Sequence, residues 1–122
     1  MVYLAIEPEH IKENMSEYFC GIAYLLNTEL SPEQIFYHAF FIHLVFVHLH
    51  PFSDGNGRAA RLPEKWLLSE KPGKEFCNIP SEKYYKENRG DYYNNINIGV
   101  NFYELNYDNC LPFLSMLPKS LL

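Results

Sequence analysis

The segment SPEQIFYHAFFIHLVFVHLHPFSDGNGRAARLPEKWLLSE, residues 31–70, decides the fold of this chain. It opens with Ser31 and Pro32, a typical helix start, because serine can cap the first turn and proline fits there. From Gln34 to His48 apolar side chains occupy nearly every face, as in a helix buried in the middle of its domain. Pro51 ends that helix, since proline disfavours helical geometry in the residue before it. The segment therefore predicts a central helix followed by a turn.

The flanking segments predict further helices and one short extended piece. Helical spacing of apolar residues and helix-stop signals predict helices over 8–27, over 58–70, over 81–95 in one or two pieces broken near Gly90, and over 110–117. Residues 101–107 fit no single type of element. Val2–Ile6 is strand-like, but five residues cannot form a sheet alone. We therefore predict a single mainly α domain over residues 1–122.

Composition excludes several classes of protein. The 122 residues are 48% hydrophobic and 16% aromatic, enough to form a packed core. The formal net charge is −5, from 15 acidic and 10 basic residues, and no Lys/Arg run occurs. A nucleic-acid-binding surface is therefore not expected. A site for a phosphorylated small molecule is compatible with this charge, because it needs only two or three cations.

Cysteine use and hydropathy point to a cytoplasmic protein. Cys20, Cys77 and Cys110 are far apart and form no CxxC pair, a pattern that favours reduced thiols over disulfides or a zinc knuckle. The N-terminus lacks the basic and apolar regions of a signal peptide. The longest apolar run, Ala39–Leu49, is too short to span a membrane, so no membrane partner is expected.

The turn after the central helix has the features of an anion site. Gly55 and Gly57 allow backbone conformations closed to other residues, so that N–H groups can converge. At a helix start these N–H groups are reinforced by the helix dipole. Arg58 and Arg61 are three residues apart, project from one helix face and can hold phosphate oxygens.

Two further residues of the turn supply acid–base and metal chemistry. Asp54 offers a hard carboxylate to Mg²⁺ bridging phosphates. His50 leads into the turn, and histidine is suited to general-base catalysis near neutral pH. The glycine spacing is not that of a P-loop, and no Lys-Ser/Thr follows. A Rossmann turn is also excluded, because a buried helix precedes the turn where that fold has a strand.

From His50 to Arg61 the chain matches every specified position of HPFx(D/E)GNGRxxR and so resembles the Fic family. Residues 42–47 resemble that family's helix leading into the motif, and Asn88–Tyr93 resembles its R-x-x-Y-Y helix. The resemblance implies a Fic-type helical bundle core. It also implies a protein adenylyltransferase that uses Mg²⁺ and transfers AMP from ATP to a Tyr, Thr or Ser hydroxyl of a target protein.

The resemblance implies a role for each motif residue. His50 would deprotonate the target hydroxyl as it attacks the α-phosphate, and Asp54 would coordinate Mg²⁺ between the α- and β-phosphates. Phe52 would be buried and hold the loop down. The anion hole would be formed by Gly55, Asn56 and Gly57. The β- and γ-phosphates would be held by Arg58 and Arg61.

The chain departs from the family pattern at three places. Pro63 falls inside the predicted helix just after Arg61, where a proline should kink it at a cost of ~3 kcal/mol. Only Val2–Ile6 can belong to the family's β-hairpin flap, so at most a remnant is expected and the chain is predicted to be an N-terminally truncated core. The inhibitory pattern (S/T)xxxE(G/N) is not matched, since Ser81 and Glu87 have the wrong spacing. A separate inhibitory protein, an inhibitor encoded upstream and an unregulated chain are the alternatives.

Other interpretations of these residues stay open at the level of sequence. His43 fits a core histidine better than a ligand, and Asp54 can be a turn former. The tyrosines of 84–107 are expected mainly as packing residues, the alternative being that some border the nucleotide or are self-modified. His48, His50 and Asp54 together suggest zinc or iron only weakly. Functionally, a non-catalytic module binding nucleotide or protein and an enzyme using UTP or CDP-choline remain alternatives. A kinase, as in the related Doc proteins, is disfavoured because those carry Lys in place of Gly57.

Overall fold

Six α-helices build the domain, and the computed structural model describes residues 3–70, 81–99 and 101–116. The helices are α1 Pro8–Leu26, α2 Pro32–Leu49, α3 Asn56–Glu70, α4 Ser81–Glu87, α5 Arg89–Ile96 and α6 Leu111–Leu114. Two 3-10 turns, Phe102–Glu104 and Tyr107–Asn109, lie between α5 and α6. The prediction of a mainly α domain is confirmed.

Helix α2 is the centre of the core, as its apolar sequence predicts. It packs most extensively against α3 and also against α1 and α6. Its N-terminus is a capping box, in which the Ser31 hydroxyl accepts from the Gln34 N–H and the Gln34 side chain accepts from the Ser31 N–H. Ten of its residues are buried: Ile35, Ala39, Phe40, Ile42, His43, Leu44, Phe46, Val47, His48 and Leu49.

The helix boundaries differ from the predicted ones by only a few residues. Helix α3 begins at Asn56, two residues before the predicted Arg58, and runs without interruption through the buried Pro63. The break between α4 and α5 falls at Asn88, two residues before Gly90, near which it is predicted. Residues 101–107, left unassigned from sequence, contain one 3-10 turn and the start of the second.

The N-terminal segment does not form the predicted strand in the part that is described, residues 3–6. Leu4 makes one isolated parallel bridge with Asn101, in which the Phe102 N–H donates to the Leu4 carbonyl at 3.0 Å. No strand occurs in 3–70, 81–99 or 101–116. A single bridge satisfies too few backbone groups to make residues 3–6 a strand, and this irregular stretch runs from the exposed Leu4 to the buried Ile6.

The structure also bears on what the sequence predicts for the cysteines and for membrane-spanning helices. Cys20 and Cys110 are both free, the first exposed and the second buried, while Cys77 lies outside the described residues. In the described part of the chain, none of the helices combines the length and the apolarity that a membrane span needs.

Candidate functional site

A cavity of about 930 Å³ opens where α2, the turn after it and α3 meet α5. This volume lies within the range of small-molecule sites. The cavity is lined by all seven residues that the sequence singles out: His50, Asp54, Gly55, Asn56, Gly57, Arg58 and Arg61. The fold therefore gathers the whole candidate site around one opening, which spacing along the chain alone does not guarantee.

His50 stands at the mouth of this cavity as the C-terminal cap of α2. Its backbone is left-handed, with φ 50° and ψ 55°, because Pro51 keeps it out of the helical region. Such a conformation is strained for a residue with a side chain, and strained residues cluster at functional sites. The side chain is exposed. Close by, the Tyr3 hydroxyl donates to the His48 carbonyl at 2.7 Å and ties the N-terminal segment to the end of α2.

The turn is closed by Asn56, and the prediction that Phe52 is buried and holds the loop is wrong. The Phe52 side chain is 54% exposed. The Phe52 N–H donates to Asn56 Oδ1 at 3.0 Å, and Asn56 Nδ2 donates to the Phe52 carbonyl at 2.7 Å. Asn56 itself is buried. The Asn56 carboxamide thus fixes the turn by accepting one hydrogen bond and donating another, so burial of the Phe52 ring is not needed.

Helix α3 presents its first turn to the cavity. The first helical bond at this end runs from the Ala59 N–H to the Gly55 carbonyl, at 2.9 Å. The N–H groups of Asn56, Gly57 and Arg58 precede that bond and have no acceptor within the helix. A convergent set of unpaired N–H groups at the positive end of a helix is suited to an anion.

We expect Gly55→Ala to disturb both the turn and the anion site. Gly55 has φ +81°, and an added Cβ would stand 3.2 Å from Arg58 Nη2. The strained backbone should lower the free energy of unfolding by ~1–2 kcal/mol, and the displaced guanidinium should weaken nucleotide binding. Chemical denaturation and calorimetric titration with Mg–ATP measure the two effects.

Gly21→Ala is the matched control for that prediction. Gly21 lies in the interior of α1, and an added Cβ there meets nothing within 4 Å. The variant should be unchanged or stabilised by about 0.5–1 kcal/mol, because alanine favours a helix. Equal behaviour of the two variants would contradict the assigned turn geometry.

Asp54 and Arg58 face each other at the rim. Asp54 Oδ2 lies 3.7 Å from Arg58 Nη2, and the side chains are 94% and 76% exposed, respectively. An ion pair this exposed contributes little stability, so both groups remain available to a ligand. Mg²⁺ commonly uses one or two carboxylates together with substrate phosphates and water. A single accessible carboxylate beside an anion site fits that mode, and Asp54 is the residue to supply it.

Arg61 projects from α3 into the same cavity, one turn beyond Arg58. Its Nε is buried, and no described residue accepts a hydrogen bond from it. The charge of Arg61 acts on Tyr92, where it opposes the effect of burial on the pKa of that phenol. A buried donor of this kind favours an acceptor such as a phosphate oxygen.

His48 also borders the cavity, but its ring is committed to the protein. Nε2 lies 2.7 Å from the Ile96 carbonyl, and Nδ1 lies 3.1 Å from the Tyr107 hydroxyl. Both contacts are met by a neutral ring that donates from Nε2 and accepts at Nδ1. A zinc or iron site built on His48 and His50 would have to break one of them. No group of three or more His, Cys, Asp or Glu that could hold a metal occurs among the described residues.

The neutral state of His48 predicts a loss of stability at low pH. Burial lowers the pKa of His48 below its usual 6.5, and the hydrogen bond to Ile96 opposes this only in part. The unfolded chain therefore binds the proton more readily than the folded one. The contribution is fully present above about pH 6.5 and is lost as the pH falls through the folded pKa.

Denaturation measured between about pH 7.5 and 5 tests this prediction. His48→Gln should flatten the decline of unfolding free energy toward acid. His38, half-buried on α2, also has its pKa lowered by burial, so His38→Gln should flatten the curve in the same direction. An unchanged profile in His48→Gln would show that this imidazole does not control it.

Several cavity-lining residues lie outside the motif, and of these Lys86 escaped sequence reasoning altogether, whereas Arg89, Tyr92 and Tyr93 belong to the segment 88–93 that the sequence singles out. Lys86 and Arg89 from the α4–α5 corner add two cations, while Tyr85, Tyr92 and Tyr93 form an aromatic side. Lys86 lies on α4 and Arg89 on α5, so it is the arrangement of these two helices around the cavity that brings both cations to the motif. Their remoteness along the chain, more than 20 residues after Arg61, hid this role.

The fold and the cavity define a mainly α domain whose candidate site is built on the first turn of a helix. The sequence profile of the Fic/DOC family matches residues 2–68, which is 67 of the 122 residues. The chain therefore belongs to the Fic/DOC family, whose members are generally transferases. No curated protein and no solved structure matches the chain. The match includes all of His50–Arg61. Asn88–Tyr93 lies outside it, so the resemblance of that segment to the family's R-x-x-Y-Y helix stays a prediction.

Proposed function

We propose that this protein is an adenylyltransferase that transfers AMP from ATP to a Tyr, Thr or Ser hydroxyl of a target protein. The observation that carries the proposal is the convergence of seven residues on one cavity. They combine an exposed imidazole, a carboxylate, helix N–H groups and two guanidinium groups. This set suits a reaction in which the negative charge of a polyphosphate must be stabilised and a hydroxyl must lose its proton.

The bonds of the proposed reaction balance as follows. The hydroxyl oxygen of the target bonds to the α-phosphorus of ATP as its proton passes to the His50 imidazole. The bond from the α-phosphorus to the bridging oxygen of the β-phosphate breaks, and pyrophosphate leaves. Mg²⁺, held by Asp54, would neutralise phosphate charge when bound.

The phosphates would be held by the beginning of α3. Asn56, Gly57, Arg58 and Arg61 all line the cavity, and the first three belong to the first turn of that helix. Their task is to orient the nucleotide so that the α-phosphorus stands near His50. Orientation and charge stabilisation of this kind carry most of the barrier reduction in phosphoryl and nucleotidyl transfer.

Transfer of radioactive label from ATP to proteins tests the proposal. The protein is incubated with Mg²⁺ and a panel of proteins bearing exposed hydroxyls, with ATP labelled in the α or in the γ position. We expect label on protein from the α position alone. Label from the γ position would identify a kinase, and label only from UTP or CDP-choline would identify another donor. Thermal stabilisation by Mg–ATP without any transfer would identify a non-catalytic nucleotide-binding module.

A further inference from the structure

A cluster of buried polar side chains extends from the cavity wall into the core, and the proposed chemistry does not use it. It consists of His43, Glu64, Ser81, Tyr85 and Tyr92, none of them more than 6% exposed. His43 and Glu64 are completely buried, which confirms His43 as a core histidine. Burying a carboxyl group costs free energy unless several donors meet it. Burial of the Glu64 carboxyl group is therefore unfavourable unless its contacts compensate for the lost hydration.

Glu64 joins three helices through its two oxygens. Oε2 accepts from the Ser81 hydroxyl at 2.7 Å, and Oε1 accepts from the Tyr85 hydroxyl at 3.3 Å. Oε1 also lies 3.1 Å from His43 Nδ1, a close charge contact that lacks good hydrogen-bond alignment. These partners lie on α4 and α2, while Glu64 lies on α3, one turn after Arg61.

The chain of contacts continues from His43 to the cavity. The Tyr92 hydroxyl lies 2.8 Å from His43 Nε2 and shares a hydrogen bond with it. Burial raises the pKa of Tyr92, which keeps the phenol protonated for that bond. The orientation of the Tyr92 ring is thus set from the core.

Tyr92 meets the phosphate site at two points. Its hydroxyl oxygen is 3.4 Å from the place where a Cβ on Gly57 would stand, so it packs against the first turn of α3. Arg61 is a cation whose charge reaches Tyr92, and both residues line the cavity.

We propose that Glu64 and His43 are positioning residues that act through Tyr92 to fix Gly57 and Arg61 for phosphate binding. This inference rests on the proposed function, because it concerns the same phosphate site. Glu64 and His43 touch no substrate. They restrict the Tyr92 hydroxyl, which in turn limits where the α3 turn and the Arg61 guanidinium can lie.

Binding of Mg–ATP and of Mg–pyrophosphate by variants tests the inference. Glu64→Gln keeps the shape but replaces the carboxyl group beside His43 with a carboxamide, and Tyr92→Phe removes only the hydroxyl. Each should raise the Kd for both ligands by roughly tenfold, the effect of losing one hydrogen bond to a charged group. Where transfer is measurable, KM for ATP should rise more than kcat falls. Tyr92→Phe retains the test if Glu64→Gln does not fold.

Tyr18→Phe is the matched control. The Tyr18 hydroxyl donates to the Ile42 carbonyl at 2.7 Å, is buried and does not line the cavity. It should lower thermal stability about as much as Tyr92→Phe while leaving both Kd values unchanged. If the Glu64 and Tyr92 variants also lose only stability, the cluster is structural and the inference is overturned.

Measuring ligand binding distinguishes a failure of this inference from a failure of the proposed function. A wild-type protein that binds Mg–ATP but transfers no AMP would contradict the proposed function, and the comparison of Kd values would still decide the inference. A wild-type protein that binds neither ligand would overturn both.

Discussion

Replacing His50 with alanine should reduce the rate of AMP transfer by ~10²–10⁴-fold, the usual contribution of a general base. His50 is exposed at the cavity mouth and held there by the left-handed end of α2. The other histidine of the cavity lining, His48, has both ring nitrogens in contact with protein acceptors or donors. It therefore cannot take over the proton. Single-turnover label transfer measures the rate, and calorimetry should show Mg–ATP affinity largely retained.

His10→Ala is the control for this variant. His10 is exposed on α1 and does not line the cavity, so its loss should leave transfer unchanged. A His50→Ala protein that transfers AMP at the wild-type rate would show that another group accepts the proton, and the assignment of His50 would be wrong.

Replacing Phe113 with alanine should destabilise the domain by ~3–5 kcal/mol, a large share of the stability of a small domain. Phe113 is fully buried on α6. Its ring centroid lies 5.4 Å from that of His43, 5.9 Å from that of Tyr85 and 5.9 Å from that of Tyr92. The deletion would leave a cavity directly beneath the polar cluster. Urea denaturation followed by circular dichroism measures the loss.

Leu111→Ala is the matched change in the same helix. Leu111 is 70% exposed, so the substitution should alter the free energy of unfolding by no more than about 0.5 kcal/mol. The pair also tests whether the segment beyond the family match, residues 69–116, belongs to the same cooperative core. A Phe113→Ala protein as stable as Leu111→Ala would place α6 outside that core.

The fold was largely predictable because its strongest signals are local. Ser31 and Pro32 begin α2, Pro51 ends it, and the apolar run between them requires burial on all sides. Residues 3–6 are strand-like in sequence but form no strand, because extended structure depends on a pairing partner. Local pattern does not reveal that Leu4 finds only a single bridge to Asn101.

In the candidate site, too, local features were predictable from sequence and contacts between helices were not. Its seven motif residues lie within twelve positions, so one turn and one helix start bring them together. The error at Phe52 arose because an aromatic ring is expected inside, whereas the Asn56 carboxamide closes the turn and leaves the ring exposed. The Glu64–His43 contact joins residues 21 positions apart on different helices. It depends on how α3 packs on α2, which no local pattern encodes.

A crystal of the protein grown with Mg²⁺ and a non-hydrolysable ATP analogue tests the central claim most directly. We predict electron density for the phosphates against the N–H groups at the start of α3, within reach of Arg58 and Arg61, with the α-phosphate nearest His50. Nucleotide density at another surface, or phosphates remote from the α3 turn, would contradict the account.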